Sequence, residues 1–370
     1  MQILFVGDVM LGRLVNNVLP KENFKYVWGN TIEIIQKADF SLLNLECAIS
    51  SKGKEWKKTF KVFHFRAHPN AIKVLKSASI DYVALANNHI LDYDVEGLVD
   101  TIDLLDKYNI SHSGAGKDLK NATKPAFIEK KIKINQDKHK KLNVKKYENI
   151  KDSIRIGLIS LTDNQPEWEA YPNSPGVNYI PLTLQQNIYS DRLENSILEA
   201  KKQSDLVIVA SHVGPHFREM PSNTYVNFAH KIIDFGADIY WGHSNHTPQG
   251  IEIYKKGNNQ KIILYDCGDF IDDYATDPNY RNDLSFIFLL NFHPEKNLKS
   301  SNSSNNQSNM ILENCTIELI PTKIRNFRVN SIPLNDGDID LIINRMAERC
   351  LCLGTNYSID EKKKRIRISL

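Results

Sequence analysis

The sequence predicts an α/β sandwich, and three observations lead to that fold class. Short apolar runs alternate with helical patterns along most of the chain, which is typical of α/β architectures. Several runs, such as FSLLNL and LVIVAS, show no polar alternation, as expected of strands covered on both faces. The chain has 370 residues, of which 41% are apolar and 25% charged, values that are ordinary for a soluble protein with a substantial core.

The predicted strands are apolar runs of five to seven residues, each followed by polar or glycine residues. Runs of this length are consistent with buried strands. They cover residues 3–7, 40–45, 82–86, 155–161, 206–211, 238–242 and 261–266.

Helical patterns lie between these strands. In DVEGLVDTIDLLDKY, Val95, Leu98 and Ile102 fall on one face, as in an amphipathic helix. Residues 193–203 and 223–236 behave similarly, and Gly236 stands where a helix C-cap is expected. Near the C-terminus, CTIELIPTKIRNFRVNSI predicts a strand pair, and DGDIDLIINRMAERCL predicts an amphipathic helix.

Two stretches interrupt the alternation and suggest a division of the chain. Residues 129–152 are rich in lysine, which indicates a solvated insertion or, alternatively, a surface that attracts an anionic polymer. Residues 294–311 form a polar linker of low complexity. The core would then span 1–293, and 312–370 would be either a small added domain or the last strands of the main sheet.

Composition excludes some classes of protein. The net charge of +3 is too weak to predict nucleic-acid binding, and no apolar run approaches the roughly 20 residues of a membrane span. The N-terminus lacks the basic and apolar regions of a secretory signal, so we expect a cytoplasmic protein. Five cysteines without a CxxC pair favour reduced thiols.

Side chains that can bind metals or transfer protons lie directly after the predicted strands. Parallel strands share one carboxyl edge, where α/β proteins bind ligands. Each residue alone has another explanation, such as a helix cap for Asp8, a turn for Asn87 and Asn88, or a core position for His212. The full set is Asp8, Asn44, Glu46, Asn87, Asn88, His89, His212, His243, His246, Asp266 and Asp269.

This set is chemically coherent. Carboxylates, amide oxygens and imidazoles suit Mn, Fe, Zn or Mg. A shared carboxylate holds two cations about 3.5–4 Å apart, which favours attack by water. A neighbouring histidine that is not a ligand can protonate a leaving group.

Five segments in this order resemble the CapA family, which is also called the poly-γ-glutamate capsule biosynthesis family and is related to the calcineurin-like metallophosphoesterases. The resemblance covers nearly the whole chain and implies a four-layer α/β/β/α metallophosphoesterase-like sandwich that 312–370 completes. It also implies a centre of one or two divalent cations at the strand ends. The segments are GDVMLGR (7–13), NLECAIS (44–50), ANNHILDY (86–93), SHVGPHF (211–217) and GHSNHTPQGIEIY (242–254).

The resemblance also implies roles for individual residues. Asp8 would be a ligand of the first metal, and Glu46 would stand where metallophosphoesterases place a bridging aspartate. Asn88 would bind the second metal, and His89 would be the general acid. The remaining ligands would be His212, His243 and His246.

The sequence departs from the expected patterns at four points. Met10 stands where a histidine is usual, Glu46 replaces the usual bridging aspartate, and two residues instead of one lie between His243 and His246. Asp269, in CGDF, replaces an expected asparagine and adds a carboxylate of unknown role.

Other residues complete the predicted site. Asn87 and Asp92 are grouped with His89 as catalytic residues, although Asp92 fits the N-cap of the next helix equally well. Arg13, Arg66 and Arg281 are candidates for binding an anionic substrate, and structural ion pairs are the alternative for each.

Two functions remain open at this point. One is a metal-dependent hydrolase or transferase acting on an anionic or amide-linked polymer such as poly-γ-glutamate, or on a small phosphoester. The other is a non-catalytic subunit that binds metal or polyanion in an envelope-polymer system. Met10 favours the second, and the Asn88–His89 pair favours the first, because a scaffold needs no proton donor.

Overall fold

The computed structural model describes residues 1–131, 153–257, 259–292, 312 and 314–370. Most of the lysine-rich insertion (132–152) and the polar linker (294–311) lie outside these residues. The described helices are α1 Arg13–Val18, α2 Ile32–Lys37, α3 Ile72–Ser77, α4 Asp94–Lys107, α5 Leu119–Thr123, α6 Asn187–Gln203, α7 Asn223–Phe235 and α8 Asp338–Cys352.

The strands of the first half of the chain are β1 Gln2–Val9, β2 Phe40–Leu45, β3 Ala48–Ile49, β4 Arg66–Ala67, β5 Tyr82–Ala84, β6 Ser111–Ser113, β7 Ala115–Gly116, β8 Ala126–Lys131, β9 Ser153–Thr162 and β10 Gly176–Val177. Those of the second half are β11 Leu206–His212, β12 Ile239–His243, β13 Ile251–Lys256, β14 Asn259–Leu264, β15 Asp269–Ile271, β16 Leu284–Asn291, β17 Thr316–Arg325, β18 Arg328–Ser331, β19 Ser358–Asp360 and β20 Arg365–Ser369.

The larger sheet has the strand order β19-β20-β17-β16-β1-β2-β5-β6, with β15 beside β1. Strands β1, β2, β5 and β6 are parallel, and β15 is parallel to β1. From β16 onward the pairing is antiparallel. The carboxyl ends of the parallel strands therefore lie on one edge, while the C-terminal strands extend the same sheet on the far side of β1.

The smaller sheet has the order β13-β14-β12-β11-β9-β8. Its central strands β9, β11, β12 and β14 are parallel. The register pairs His212 with His243, so these two histidines lie side by side where β11 and β12 end.

Three apolar clusters show that the two sheets are stacked between helices. Phe5 and Trp241, from different sheets, pack edge to face with ring centroids 5.5 Å apart in the cluster between the sheets. On the outer face of the larger sheet, Leu4 and Val6 pack with α3 and α4. On the outer face of the smaller sheet, β9 and β11 pack with α6 and α7.

This arrangement confirms the four-layer α/β/β/α prediction. It also explains the runs without polar alternation, because successive residues of β1 enter different apolar clusters and both are buried. Helix α8 lies against β13, β17 and β20. Of the two alternatives for the C-terminal segment, the structure has strands that continue the main sheet. Among the described helices, none combines the length and apolar character needed to cross a bilayer.

Candidate active site

Two glycines allow the strands that carry the site to approach their neighbours closely. A Cβ on Gly7 would lie 1.7 Å from the Gly268 carbonyl oxygen, and one on Gly242 would lie 1.8 Å from that of Tyr265. Each glycine directly precedes a site residue, Asp8 or His243. The close approach therefore fixes both side chains at the carboxyl ends of β1 and β12.

Asp8, at the end of β1 in the larger sheet, contacts residues from both sheets. Its Oδ1 lies 3.1 Å from His243 Nδ1 and accepts a 2.7 Å hydrogen bond from Asn44 Nδ2. Asp8, Glu46 and His212 bring one ligand atom each within 4.8 Å of one another, and so do Asp8, His246 and Asp269. The site thus contains two groups of potential ligands that share Asp8 rather than Glu46.

Four residues predicted as metal ligands carry buried atoms that have no hydrogen-bond partner among the described residues. These atoms are Glu46 Oε1, Asn88 Oδ1, His212 Nε2 and His243 Nε2. Glu46 Oε1 and His212 Nε2 face each other at 3.7 Å, which is longer than a hydrogen bond. Buried polar atoms without partners are rare because they are costly, and this oxygen and nitrogen set fits a divalent cation.

The charges of the site also favour a bound divalent cation. Burial raises the pKa of Glu46 well above its ordinary value, and the negative charges of Asp8 and Asp269 add to this. Burial would also raise the pKa of Asp8, but His212 and His243 hold it below its usual range. Burial lowers the pKa of His212, and the Asp8 carboxylate opposes that fall. A divalent cation bound among these carboxylates would offset their mutual repulsion, and an imidazole that ligates it would be neutral.

His89 and Asp92 form a hydrogen-bonded pair beside these ligands. His89 Nδ1 lies 2.6 Å from Asp92 Oδ2, and the same oxygen accepts a 2.6 Å bond from the Phe65 backbone N–H. The Phe65 ring stacks on the imidazole at 3.8 Å, and Asn87 Oδ1 accepts from the His89 N–H. Helix α4 begins at Asp94 and has no side-chain cap, so Asp92 orients the imidazole and does not cap the helix.

Lys61 contacts the His89–Asp92 pair, and nothing in the sequence indicated this contact. Its side chain is only 6% exposed, and Nζ lies 3.2 Å from Asp92 Oδ1 and 2.5 Å from the Asn88 carbonyl oxygen. Burial raises the pKa of Asp92 to about 7, and Lys61 opposes that rise. Burial lowers the pKa of His89 well below its ordinary value, and Lys61 lowers it further. An anionic group bound nearby would favour the protonated imidazole.

A cavity of about 620 Å³ opens beside these groups, and Asn88, His89 and His246 line it. Most of its wall is aromatic or aliphatic, with Phe60, Val62, Phe63, Phe65, Phe217 and Tyr274 among the lining residues. A substrate bound here would present one reacting end to the polar groups and the rest to an apolar wall.

The three predicted substrate arginines have different surroundings. Arg13 lines the cavity but is paired with Asp273 at 3.0 Å. Arg66 lies over the Tyr93 ring at 3.8 Å and lines a neighbouring pocket of about 410 Å³ that also contains Arg13.

For Arg281, the structure favours the structural ion pair, which was the alternative to substrate binding. Its guanidinium donates to both Asp283 and Asp338 at 2.7–2.9 Å, so its donors are occupied in a structural ion-pair cluster. This cluster ties the start of α8 to the segment before β16, and Arg281 is not among the residues that line the cavity.

Two further residues belong to the site although the sequence assigned them no role. Asp269 Oδ1 lies 2.8 Å from His246 Nδ1; its place after a predicted strand and its substitution for an expected asparagine were the two signals in the sequence. Tyr274 donates a 2.9 Å hydrogen bond to Glu46 Oε2, and nothing in its neighbourhood marked it. Met10 is fully buried in the core. Its Sδ accepts a hydrogen bond from the Gly12 N–H at 3.0 Å, so Met10 is not positioned as a metal ligand.

Comparisons with known proteins agree with the family resemblance. Residues 2–274 match the profile of the family described as bacterial capsule synthesis protein PGA_cap. A probable polyglutamine synthesis accessory protein of Mycobacterium tuberculosis is 29% identical over 325 residues, covering 78% of this chain and 79% of that protein. The PGA biosynthesis protein CapA of Bacillus subtilis is 30% identical over 270 residues, covering 73% and 62%. A solved calcineurin-like phosphoesterase from Bacillus subtilis aligns over 90% of this chain and 87% of its own, with 14% identity and a TM-score of 0.41.

Proposed function

Since the chain belongs to the bacterial capsule synthesis protein family PGA_cap, we propose that it is a metal-dependent hydrolase or transferase in the synthesis of an envelope polymer such as poly-γ-glutamate. One observation carries this proposal. Four of the predicted ligand residues keep buried atoms without partners in the described chain, directly beside an oriented histidine–aspartate pair.

Two cations fit the two groups of ligands. One would be held by Asp8, Glu46 and His212, and the other by Asp8, His246 and Asp269. His243 and Asn88 would add donors from the same edge. A bound divalent cation would polarise a carbonyl or phosphoryl oxygen and lower the pKa of a bound water. Asp8 would then be the shared carboxylate, instead of the Glu46 suggested by the family resemblance.

The acid–base work would fall to residues of the chain itself. His89 lines the cavity and its Nδ1 is engaged by Asp92, which leaves Nε2 to give a proton to the leaving group. Asp92 fixes the ring and stabilises the positive charge of the imidazolium.

The substrate would carry an anionic or amide-linked reacting group. Arg13 lines the cavity with its guanidinium over the Phe65 ring at 5.2 Å, where it supplies positive charge near an anion despite its contact with Asp273. Poly-γ-glutamate and small phosphoesters both meet this description. The cytoplasmic location expected from the sequence stays a prediction.

The rival proposal is a non-catalytic subunit that binds metal or polyanion. The word "accessory" in the name of the mycobacterial relative favours it. It makes no use of the proton-donor pair, so the two proposals differ in what His89 does.

One experiment separates them. The purified protein would be analysed for bound Mn, Fe and Zn, and then assayed with phosphomonoesters, phosphodiesters and γ-glutamyl peptides with added Mn²⁺. Turnover that is lost in both His89→Ala and His243→Ala supports the enzyme. Tight metal binding without turnover of any substrate supports the binding subunit, and unchanged turnover in His243→Ala contradicts the site.

A further inference from the structure

One segment at the mouth of the cavity combines exposed apolar side chains with lysines. This segment, residues 51–65, is called the rim loop. Phe60 is 91% exposed, Val62 65% and Phe63 57%. Elsewhere in the described chain, exposed large apolar side chains are well separated along the sequence. Clustered exposure of this kind marks an interaction surface.

The rim loop is held in place at its base by contacts with the rest of the chain. Trp56 is buried and packs edge to face on Trp168, with ring centroids 5.5 Å apart. The backbone N–H of Trp56 donates to the Asp92 carbonyl oxygen at 2.8 Å, and the Thr59 hydroxyl donates to Glu167 at 2.6 Å. Lys61 is anchored between these points by its contacts with Asp92 and Asn88. The tip is therefore presented to the surroundings by a fixed base.

The charge of the rim loop is strongly positive. It contains five lysines and one glutamate. Lys54 and Lys57 are exposed and take part in no ion pair with the described residues. Lys52 and Lys58 are paired with Asp100 and Asp94 at the surface, where such pairs are weak and easily exchanged.

An apolar tip surrounded by lysines is complementary to one kind of surface above others. Side chains such as phenylalanine enter the boundary between headgroups and acyl chains, and lysines are attracted to anionic headgroups. A soluble polyanion would account for the lysines and leave Phe60 and Val62 exposed. A protein partner would account for the apolar tip but does not require unpaired lysines around it.

We propose that the rim loop docks on the surface of a bilayer that contains anionic lipids. Phe60, Val62 and Phe63 enter the interfacial layer, and Lys54 and Lys57 contact headgroups. Because Phe60 and Val62 also line the cavity, docking brings the cavity mouth to the membrane. If the proposed function holds, its substrate is then a molecule attached to the membrane.

Vesicle sedimentation tests the docking directly. The full chain would be mixed with vesicles of phosphatidylcholine alone and of phosphatidylcholine with phosphatidylglycerol. We expect binding to the anionic vesicles, reduced about tenfold or more both in Phe60→Ser/Val62→Ser and in Lys54→Gln/Lys57→Gln. The control Leu334→Ser/Leu351→Ser, which removes apolar side chains that are 59% and 53% exposed elsewhere, should bind like the unmodified chain.

Three results would overturn the proposal: no binding to anionic vesicles, equal binding to both kinds of vesicle, or full binding by Phe60→Ser/Val62→Ser. Full binding by that variant together with a raised KM for a soluble substrate would assign the two side chains to substrate binding instead. Circular dichroism would establish that each variant is folded.

The outcome does not depend on the proposed function, because vesicle binding is measured without turnover. A chain that binds anionic vesicles but turns over no substrate disproves the enzyme and leaves the docking intact. A chain that turns over soluble substrates without binding vesicles supports the enzyme and disproves the docking.

Discussion

The site has a metal half and an acid half, and these differ in how well the described chain supplies partners for their buried polar atoms. In the metal half, Glu46 Oε1 and His212 Nε2 are buried without partners in the described residues. In the acid half, His89 Nδ1 lies 2.6 Å from Asp92 Oδ2, and Asp92 Oδ1, which has no hydrogen bond within the described residues, has the positive charge of Lys61 Nζ at 3.2 Å. We define the metal half as Asp8, Glu46, Asn88, His212, His243, His246 and Asp269, and the acid half as Lys61, Phe65, His89 and Asp92.

Under the proposed function, the acid half is already organised by the chain, whereas a bound cation would complete the metal half. Unsatisfied buried atoms and crowded carboxylates destabilise the folded state, and a ligand that binds only the folded state restores stability. Variants of the metal half should therefore change metal content and thermal stability together. Variants of the acid half should change turnover alone.

The largest effect is expected for Asp8→Asn, because Asp8 belongs to both groups of ligands. Loss of both cations removes several kcal/mol of transition-state stabilisation, which corresponds to a loss of turnover of roughly 10⁴-fold or more. The variant should also lose the rise in Tm that Mn²⁺ gives the unmodified chain, which is measured by thermal unfolding with and without Mn²⁺. Asp118→Asn, at the cap of α5, is the control, and full metal content in Asp8→Asn would contradict the shared-ligand geometry.

The next effect tests the acid half. His89→Asn should lower kcat by about 10³-fold for substrates with poor leaving groups, which is the middle of the range for general acids. Substrates with good leaving groups, which need less protonation, should lose much less. Metal content, measured by elemental analysis, should not change.

A matched control for His89→Asn is His112→Asn. His112 Nε2 also contacts an aspartate, Asp106, at 3.1 Å, but it does not line the cavity. If His89→Asn also loses metal, the two halves are not independent, and the comparison between them fails.

A third prediction compares the two groups within the metal half. His246 and Asp269 already contact each other at 2.8 Å, whereas Glu46 Oε1 and His212 Nε2 do not form a hydrogen bond. We therefore expect Glu46→Gln to abolish the tighter Mn²⁺ site. Asp269→Asn, which introduces the residue that the family resemblance predicts there, should weaken only the second site, by about 10- to 100-fold.

Calorimetric titration with Mn²⁺ distinguishes these two variants. Two sites in the unmodified chain, with only the weaker one affected in Asp269→Asn, would support two unequal cations. A single site that Asp269→Asn leaves unchanged would show that Asp269 binds no metal.

The same two halves show what the sequence predicts well and where it fails. Strands β2 and β11 follow from apolar runs, and the ligands of the metal half directly follow such strands, so local patterns indicate them. Lys61 lies 27 residues before Asn88 in a loop without periodicity, and only the fold brings the two together. The ion pair of Arg281 is not visible in the sequence for the same reason, because its partner Asp338 is 57 residues away.

The smallest effect is expected for Lys61, because its Nζ is engaged by Asp92 and Asn88 even though its side chain also lines the cavity. Lys61→Met removes the charge that opposes the rise of the Asp92 pKa, so a larger share of Asp92 is neutral and orients the His89 ring less firmly. The same change removes a charge that lowers the pKa of His89, which offsets part of the loss. We expect kcat to fall about tenfold, the lower end for residues that orient a functional group, while KM and metal content stay the same. Lys61→Arg should restore part of the loss because it returns a positive charge. The control Lys58→Met removes an exposed lysine of the same loop and should leave kcat unchanged. A tenfold rise in KM instead of a fall in kcat would show that Lys61 binds substrate and would remove it from the acid half.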